Sequence, residues 1–363
     1  MYYLLKTKGV VMEKYIEPTV LDSMLDFKAN DSTYLDKINS LIDWKKVKSI
    51  LDKKYRWTKN TSGSRAYSPL LLFKILLVQS WEKLSDPQAE FALKDRLSVI
   101  RFVGVSVSGE VPDHSTISRF RSRLLELEIF DELFSEINRQ LSELNLIVKS
   151  RKEAIIDATL VESSCRPRKV VNDIAEDRHE GDDDNDSSCG GSGGNNESNI
   201  SYSKDTDASW LKKGNRAYYG YKQFFCVNSD GYILGEMVKS ARESEVRNLA
   251  PLLQKLNLPK GTAIYADKGY SSESNRKDIS GTYADMIMYK AARNKPLTGF
   301  QKFHNKAVSK VRYVVEQAIG LIKLHFGYTR SRFIGIDKVR LELSIHCMAY
   351  NLRKGALRMI DKI

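Results

Sequence analysis

Five charged side chains carry the chemistry open to this sequence. Arg312, Glu316 and Lys323 fall in residues 311–323, a run with apolar residues at helical spacing. On a helix, steps of four and seven residues leave offsets of about 40° and about 20°, so the three share one face. Val314, Val315, Ala318, Leu321 and Ile322 occupy the other side and suit a core. A carboxylate between two cations is either a salt-bridged surface stripe or a metal ligand flanked by phosphate-binding groups. Asp157 sits within residues 153–161, a short β-branched run that reads as a buried strand. A charge there is unfavourable unless it is paired or metal-bound. Asp267 follows a second short strand, 262–266, and precedes Gly269. Sheets with helices on their faces place ligands at such strand ends.

The elements that must position these groups come in two blocks. Residues 45–147 read as helical. Ser68-Pro69 opens a helix to Trp81 that is apolar on almost every side and therefore buried. Further helices start at Asp86-Pro87 and at Phe130, and 97–105 reads as a short apolar helix or turn. Between the last two, a helix carries Ile117, Phe120 and Leu124 on one face and Arg119, Arg121 and Arg123 as its polar side. A helix-turn-helix-like unit facing DNA and a solvated arginine face fit this pattern equally. Residues 1–44 are a polar N-terminal extension, in which Met12 is an alternative start.

After Ser150 the pattern changes to strands. A hairpin of β-rich runs flanks Asn228-Ser229-Asp230-Gly231. A helix at 244–256, the strand before Asp267, a strand at 283–289 and a long helix at 303–326 follow, and a terminal helix runs through Leu357. Strand, hairpin, helix, strand, helix, strand, helix describes an α/β fold. It is an RNase H-like mixed sheet with helices on its faces, the first and fourth strands adjacent. The expected domains are 45–150, helical and DNA-binding, and 151–363, catalytic. The second holds an Asp/Gly/Ser-rich insertion at about 171–206 that cannot bury a core and reads as disordered.

Net charge is +12. Residues 171–199 alone carry −8, which leaves +20 on the remainder. A basic body of this size favours a polyanion, most simply nucleic acid. Lys212, Lys213 and Lys222, interleaved with Trp210, Tyr218, Tyr219 and Tyr221, suit backbone contact with base stacking. Tyrosine is also ordinary strand chemistry. Four dispersed cysteines without a CxxC pair point to a reducing cytoplasm. No apolar run approaches the ~20 residues of a membrane span, and no signal peptide precedes Val11.

Ile155-Ile156-Asp157-Ala158-Thr159, Tyr265-Ala266-Asp267-Lys268-Gly269-Tyr270 and Arg312-x3-Glu316-x6-Lys323 together resemble bacterial DDE transposases of insertion sequence family five, which is related to family four. Residues 217–222 and the stretch from Pro112 to Phe120 resemble further segments of that family, and the likeness covers about 45–352. It implies that Asp157, Asp267 and Glu316 are catalytic and bind two Mg²⁺ or Mn²⁺ ions for in-line phosphoryl transfer. It implies that Arg312 and Lys323 contact phosphates, with Lys222, Lys212, Lys213, Arg119 and Arg121 as further DNA-binding candidates. The implied partners are double-stranded DNA, as transposon ends and target, and a second copy in a homodimer on paired ends. The resemblance also implies no membrane partner and a place in the bacterial cytoplasm, at the nucleoid when bound to DNA. One departure stands out: the family has a tyrosine three residues before the arginine, where this chain has Ser309. Two rivals remain from the residues alone, a helix-turn-helix-type regulator with an inert nuclease-like domain and a host nuclease of the same fold.

Overall fold

A computed structural model of the chain describes residues 33–55, 66–107, 109–147, 152–167, 175–176, 203–292 and 295–360. The extension before residue 33 lies outside the described residues, as does the expected disordered insertion at 171–206 apart from two ordered pieces that correct that expectation: Ala175–Glu176, a strand, and 203–206, where Asp205 is buried and hydrogen-bonded. The chain divides into two compact units: 1–146 with 344–363, and 147–343.

The first unit is helical. Its elements are α1 (Tyr34–Leu41), α2 (Trp44–Lys54), α3 (Pro69–Glu82), α4 (Asp86–Asp95), α5 (Leu97–Val103), α6 (His114–Leu127), α7 (Phe130–Glu143) and, from Ser344 on, α11 (Ile336–Ile360). Short polar residues start the helices by accepting orphan backbone N–H groups. Thr33 and Asp36 form a capping box on α1, Ser85 and Gln88 one on α4, and Asp113 caps α6. Helix α3 is buried along nearly its whole length, as its all-round apolar sequence requires.

The last helix departs from the expected boundary, which assigns all of 151–363 to the sheet. Ser80 Oγ meets His346 Nδ1 at 2.6 Å, Trp81 Nε1 donates to Ala349 O, and Asn351 donates to Asn138 Oδ1. A side chain at Gly355 would meet Leu41 and Leu141 at 3.0 and 3.1 Å. Packing partners far away in sequence decide this membership, so local pattern could not reveal it.

The second unit is built on seven strands: β1 (Glu153–Glu162), β2 (Ala175–Glu176), β3 (Ser209–Lys213), β4 (Arg216–Val227), β5 (Ile233–Ser240), β6 (Ala263–Ala266) and β7 (Ala284–Ile287). Their order is β2-β3-β4-β1-β6-β7, with β5 also paired to β4. Twelve residues of β4 give its far edge room for both β3 and β5. Where β4 crosses β1, a Cβ on Gly220 would lie 2.1 Å from Val161 O, so only glycine fits. β1 pairs antiparallel with β4 and parallel with β6, which makes the sheet mixed. The parallel neighbours β1 and β6 are the first and fourth strands of the sequence pattern. β3 is an addition to that pattern; five residues ending in two lysines give little strand signal.

Helices α8 (Glu245–Leu256) and α9 (Glu273–Ile279) share a core with the sheet. Ile156, Phe224, Ile264, Leu249, Leu252, Tyr270 and Ile279 meet there. Helix α10 (Gly299–His325) runs against β1, β4 and β6. Its buried stripe is Val308, Val315, Ala318, Ile319 and Ile322, so Ile319 joins the core while Val314 and Leu321 are only partly covered. The architecture is an RNase H-like mixed sheet with helices on its faces, preceded by a helical region.

Candidate active site

The register of β1 against β6 brings the two aspartates together. Ile156 pairs with Ala266 in the last step of the parallel ladder. The next residues of the two strands are Asp157 and Asp267, side by side where β6 ends. Beyond this point β1 continues against β4. Asp157 Oδ1 accepts from Ala158 N at 2.9 Å, and Asp267 caps the 3-10 turn Lys268–Tyr270 by accepting from Lys268 N at 2.7 Å.

Helix α10 supplies the third carboxylate and the cation that joins all three. Arg312 Nη2 lies 3.4 Å from Asp157 Oδ2 and 3.5 Å from Glu316 Oε1, and Nη1 lies 3.3 Å from Asp267 Oδ1. Its side chain is 11% exposed, against 59% for Glu316. Three acids from three elements thus converge on one guanidinium. Arg312 is turned inward and engaged by carboxylates. Its Nε is buried with no acceptor among the described residues.

Burial dominates the electrostatics. It raises the Asp157 carboxyl to about 6, opposed by Arg312 and the Ala158 N–H and reinforced by the charges of Glu245 and Asp267. Lys323 Nζ hydrogen-bonds Thr159 Oγ1, two residues along β1 on the same face as Asp157. Burial, then the charge of Lys213, lowers the Lys323 ammonium, while Asp157 pulls it up. Lys213 at the β3–β4 turn therefore stands near Lys323, and both Lys212 and Lys213 are exposed.

Three other expected DNA contacts fall in different surroundings. Arg119 is exposed and folds back on Ser115. Arg121 is buried in the helical unit, where its guanidinium pairs with Asp86 and donates to Gln79. That correction has a sequence reason: Arg121 is four residues after Ile117, on the core stripe. Lys222 is buried too, its Nζ 3.6 Å from Glu245 Oε1. It shares strand parity with buried Phe224 and Cys226. Ser309 is exposed, and Tyr313, 60% exposed, occupies a different face of α10.

Glu245, Tyr270 and the buried side of Lys222 lie close by; of these, sequence reasoning missed Glu245 and the burial of Lys222. An acidic residue at a helix start is ordinary dipole chemistry and carries no signal. The donor set of Asp157, Asp267 and Glu316 is hard oxygen, which fits Mg²⁺ or Mn²⁺. As they stand, among the described residues no three acidic, imidazole or thiol side chains form a ready metal cage. The cation among the carboxylates is Arg312.

A mixed sheet with two acids at adjacent strand ends and a third on a crossing helix is the design of the DDE class. Comparison with known proteins agrees. The family described as Transposase domain (DUF772) matches residues 22–123, and the family described as Transposase DDE domain matches residues 150–352. The chain is 36% identical over 242 residues to the transposase for insertion sequence element IS1106 of Neisseria meningitidis serogroup B, covering 66% of this chain and 78% of that one. A piggyBac transposase synaptic complex with hairpin DNA, solved by cryo-electron microscopy, aligns at TM-score 0.43 and 10% identity over 92% of this chain and 76% of the other. This chain belongs to the DDE transposases of bacterial insertion sequences, and it is an enzyme of that kind. DDE domains generally use divalent metal ions. Among the described residues, no helix is long and apolar enough to cross a membrane.

Proposed function

We propose that this transposase binds the terminal inverted repeats of its element, cleaves at the ends and joins the 3′ ends to target DNA. The convergence of Asp157, Asp267 and Glu316 on a single cation carries the reading. These three side chains are the proposed ion ligands. Bound there, two divalent ions would supply Lewis acidity for in-line phosphoryl transfer. Asp157 and Asp267 are fixed by their own backbone hydrogen bonds, so their oxygens are preorganised. Arg312, when released from the carboxylates, has a planar fork of donors suited to a phosphate. Lys323 holds positive charge near Asp157, with Lys213 near Lys323, where the scissile strand would lie. Lys212, exposed on the sheet unit, extends the contact along the backbone, and exposed Arg119 is a separate DNA-binding candidate of the helical unit. Lys222 and Arg121, being buried, act through the fold rather than on DNA. Two copies on paired ends form the working complex, at the nucleoid of the host cell.

The test uses purified full-length protein, labelled terminal-repeat DNA and Mg²⁺. Metal-dependent end cleavage and strand transfer are expected, with both lost in Asp157→Ala, Asp267→Ala and Glu316→Ala while end binding survives. Full cleavage by any of the three variants would sink the assignment. Hydrolysis without strand transfer would mark a host nuclease, and binding without Mg²⁺-dependent nicking would mark a regulator.

A further inference from the structure

Glu162 ends β1 and gathers three arginines from three segments. Arg330 Nη2 lies 3.3 Å from its Oε2, while Arg216 Nη2 and Arg166 Nη1 lie 3.4 and 3.7 Å from its Oε1. The backbone brings them there. Gly220 is the register partner of Glu162, so β4, which begins at Arg216, runs along one side of it. On the other side, where β6 has ended, Glu162 N donates to Thr329 O and Ser331 N donates to Glu162 O, which lays Arg330 beside it. Arg166 follows Glu162 by four residues and donates to Ala217 O at 3.1 Å.

One carboxylate is a poor match for three guanidiniums. It offers about four acceptor sites against about fifteen N–H donors. All three separations are longer than the roughly 2.7–2.9 Å of a close charge-assisted hydrogen bond. Among the described residues, Glu162 is the acid with which each of the three forms an ion pair. Arg139 on α7 shows the opposite proportion, with Glu136 and Glu143 meeting a single guanidinium. The carboxylate of Glu162 is 15% exposed, whereas Arg166, Arg216 and Arg330 are 36%, 67% and 54% exposed. Ion pairs this open add little stability, so fastening the chain does not account for the cluster. Rings steady two of the heads: Arg166 lies 5.4 Å from the Trp210 ring and Arg216 5.0 Å from that of Tyr218. Exposed Lys213 stands opposite Arg216 across the β3–β4 turn and adds a further cation. Planar forks of donors with spare N–H groups suit the oxygens of a phosphate.

The place is distinct from that of the three acids. Five residues separate Asp157 from Glu162, about 17 Å along a strand, and alternation turns the two side chains to opposite faces. A phosphate held by the arginines is therefore not the scissile one.

We propose that Arg166, Arg216 and Arg330 form a phosphate clamp that grips a DNA backbone at the C-terminal end of β1, with DNA replacing Glu162 as their shared partner. The inference rests on the reading that this chain binds DNA.

Fluorescence anisotropy of full-length protein with labelled duplexes, in EDTA and across a salt series, tests it. One duplex carries the terminal repeat and one is an unrelated sequence of equal length. Arg166→Gln, Arg216→Gln and Arg330→Gln should each weaken binding several-fold and lower the slope of log affinity against log salt by about one. Glu162→Gln should tighten binding several-fold, because it removes the anion that competes with phosphate. A purely structural network predicts the opposite for Glu162→Gln, with weaker binding and a lower melting temperature like the arginine variants. Unchanged salt slopes in all three arginine variants, or equal or weaker binding by Glu162→Gln, overturn the clamp. Should a glutamine variant of an arginine not fold, Glu162→Gln alone decides. Losses confined to the terminal repeat assign the clamp to the element's end, and equal losses on both duplexes assign it to DNA of any sequence; each sustains it. A parent protein that binds neither duplex would instead sink the DNA reading itself.

Discussion

Asp205 is fully buried, and its carboxylate accepts from Ser163 Oγ, from Tyr221 OH and from the Gly335 N–H. Asp157, in the same unit, has its own neighbouring N–H, a share of one guanidinium and two or three other acids around it. Neutral donors surround the first, one for each direction it faces. The second competes with like charges for a cation whose Nε is itself unsatisfied. A buried charge with matched partners fastens the chain, here tying the loop before β3 to the end of β1 and to β4. A buried charge with too few partners stores unfavourable energy that a ligand can release. Helical-unit Arg121 belongs with Asp205: Asp86 and Gln79 meet it, and nothing is left for DNA.

The contrast breaks most sharply under substitution at the cluster. Asp157→Asn, Asp267→Asn and Glu316→Gln should each reduce Mg²⁺-dependent end cleavage by about a thousandfold or more, the scale seen when a member of a concerted catalytic unit is removed. Single-turnover cleavage of labelled ends measures it. Asp205→Asn, compared per folded molecule, should keep cleavage near the parent. Comparable loss of chemistry at Asp205 would erase the distinction.

Stability should show the reverse order. Asp205→Ala strands the Tyr221 and Ser163 hydroxyls and the Gly335 N–H inside the protein, a change worth about 3 kcal/mol. Denaturant unfolding of the sheet unit checks this, and an unchanged midpoint would show that the knot is not a fastening.

Much of this arrangement was legible in sequence. Asp157 within an apolar β-branched run and Asp267 at a strand end are visible because strand periodicity is local. Residues 311–323 reveal their polar stripe by helical spacing alone. The contacts of that stripe were not legible. Nothing in a helix pattern says whether Arg312 turns outward to phosphate or inward to carboxylates; the answer comes from where β1 and β6 stop. Lys222 and Arg121 misled as well. Arg121 lies on the buried stripe of its helix, a usable signal, whereas β4 is buried on both faces around Lys222 and alternation says nothing there. Glu245 gave no signal, since its pairing with Lys222 joins elements that only the fold brings together.

A smaller effect sharpens the comparison through pH. Folding raises the Asp157 carboxyl from 3.8 to about 6. The folded state then binds more protons than the unfolded chain between those values, so stability falls as pH rises through this window and levels off above it. Asn, which mimics the neutral acid, removes the penalty. In metal-free protein, Asp157→Asn should stabilise by about 2 kcal/mol at pH 7.5, less than the full value of a two-unit shift because part of the side chain meets solvent. Below about pH 4 the advantage should vanish. Melting temperatures across pH in EDTA give the curve. A variant less stable than the parent at pH 7.5 would mean that Asp157 is satisfied after all, like Asp205.

The least effect is expected at the exposed cations, where the two kinds of buried charge give way to solvated ones. Lys212→Gln, Lys213→Gln and Arg119→Gln each remove one candidate phosphate contact, and each should weaken end binding only several-fold at moderate salt. The diagnostic is the slope of log affinity against log salt, which should fall by about one for each true contact. Lys222→Gln and Arg121→Gln should leave that slope untouched, because a buried ammonium or guanidinium releases no DNA counterion. Lys213 should exceed Arg119 in effect, since it stands beside Lys323 at the acids whereas Arg119 is folded back on Ser115. A slope change at Lys222 equal to that at Lys213 would place DNA against β4 itself and reopen the Glu245 pairing.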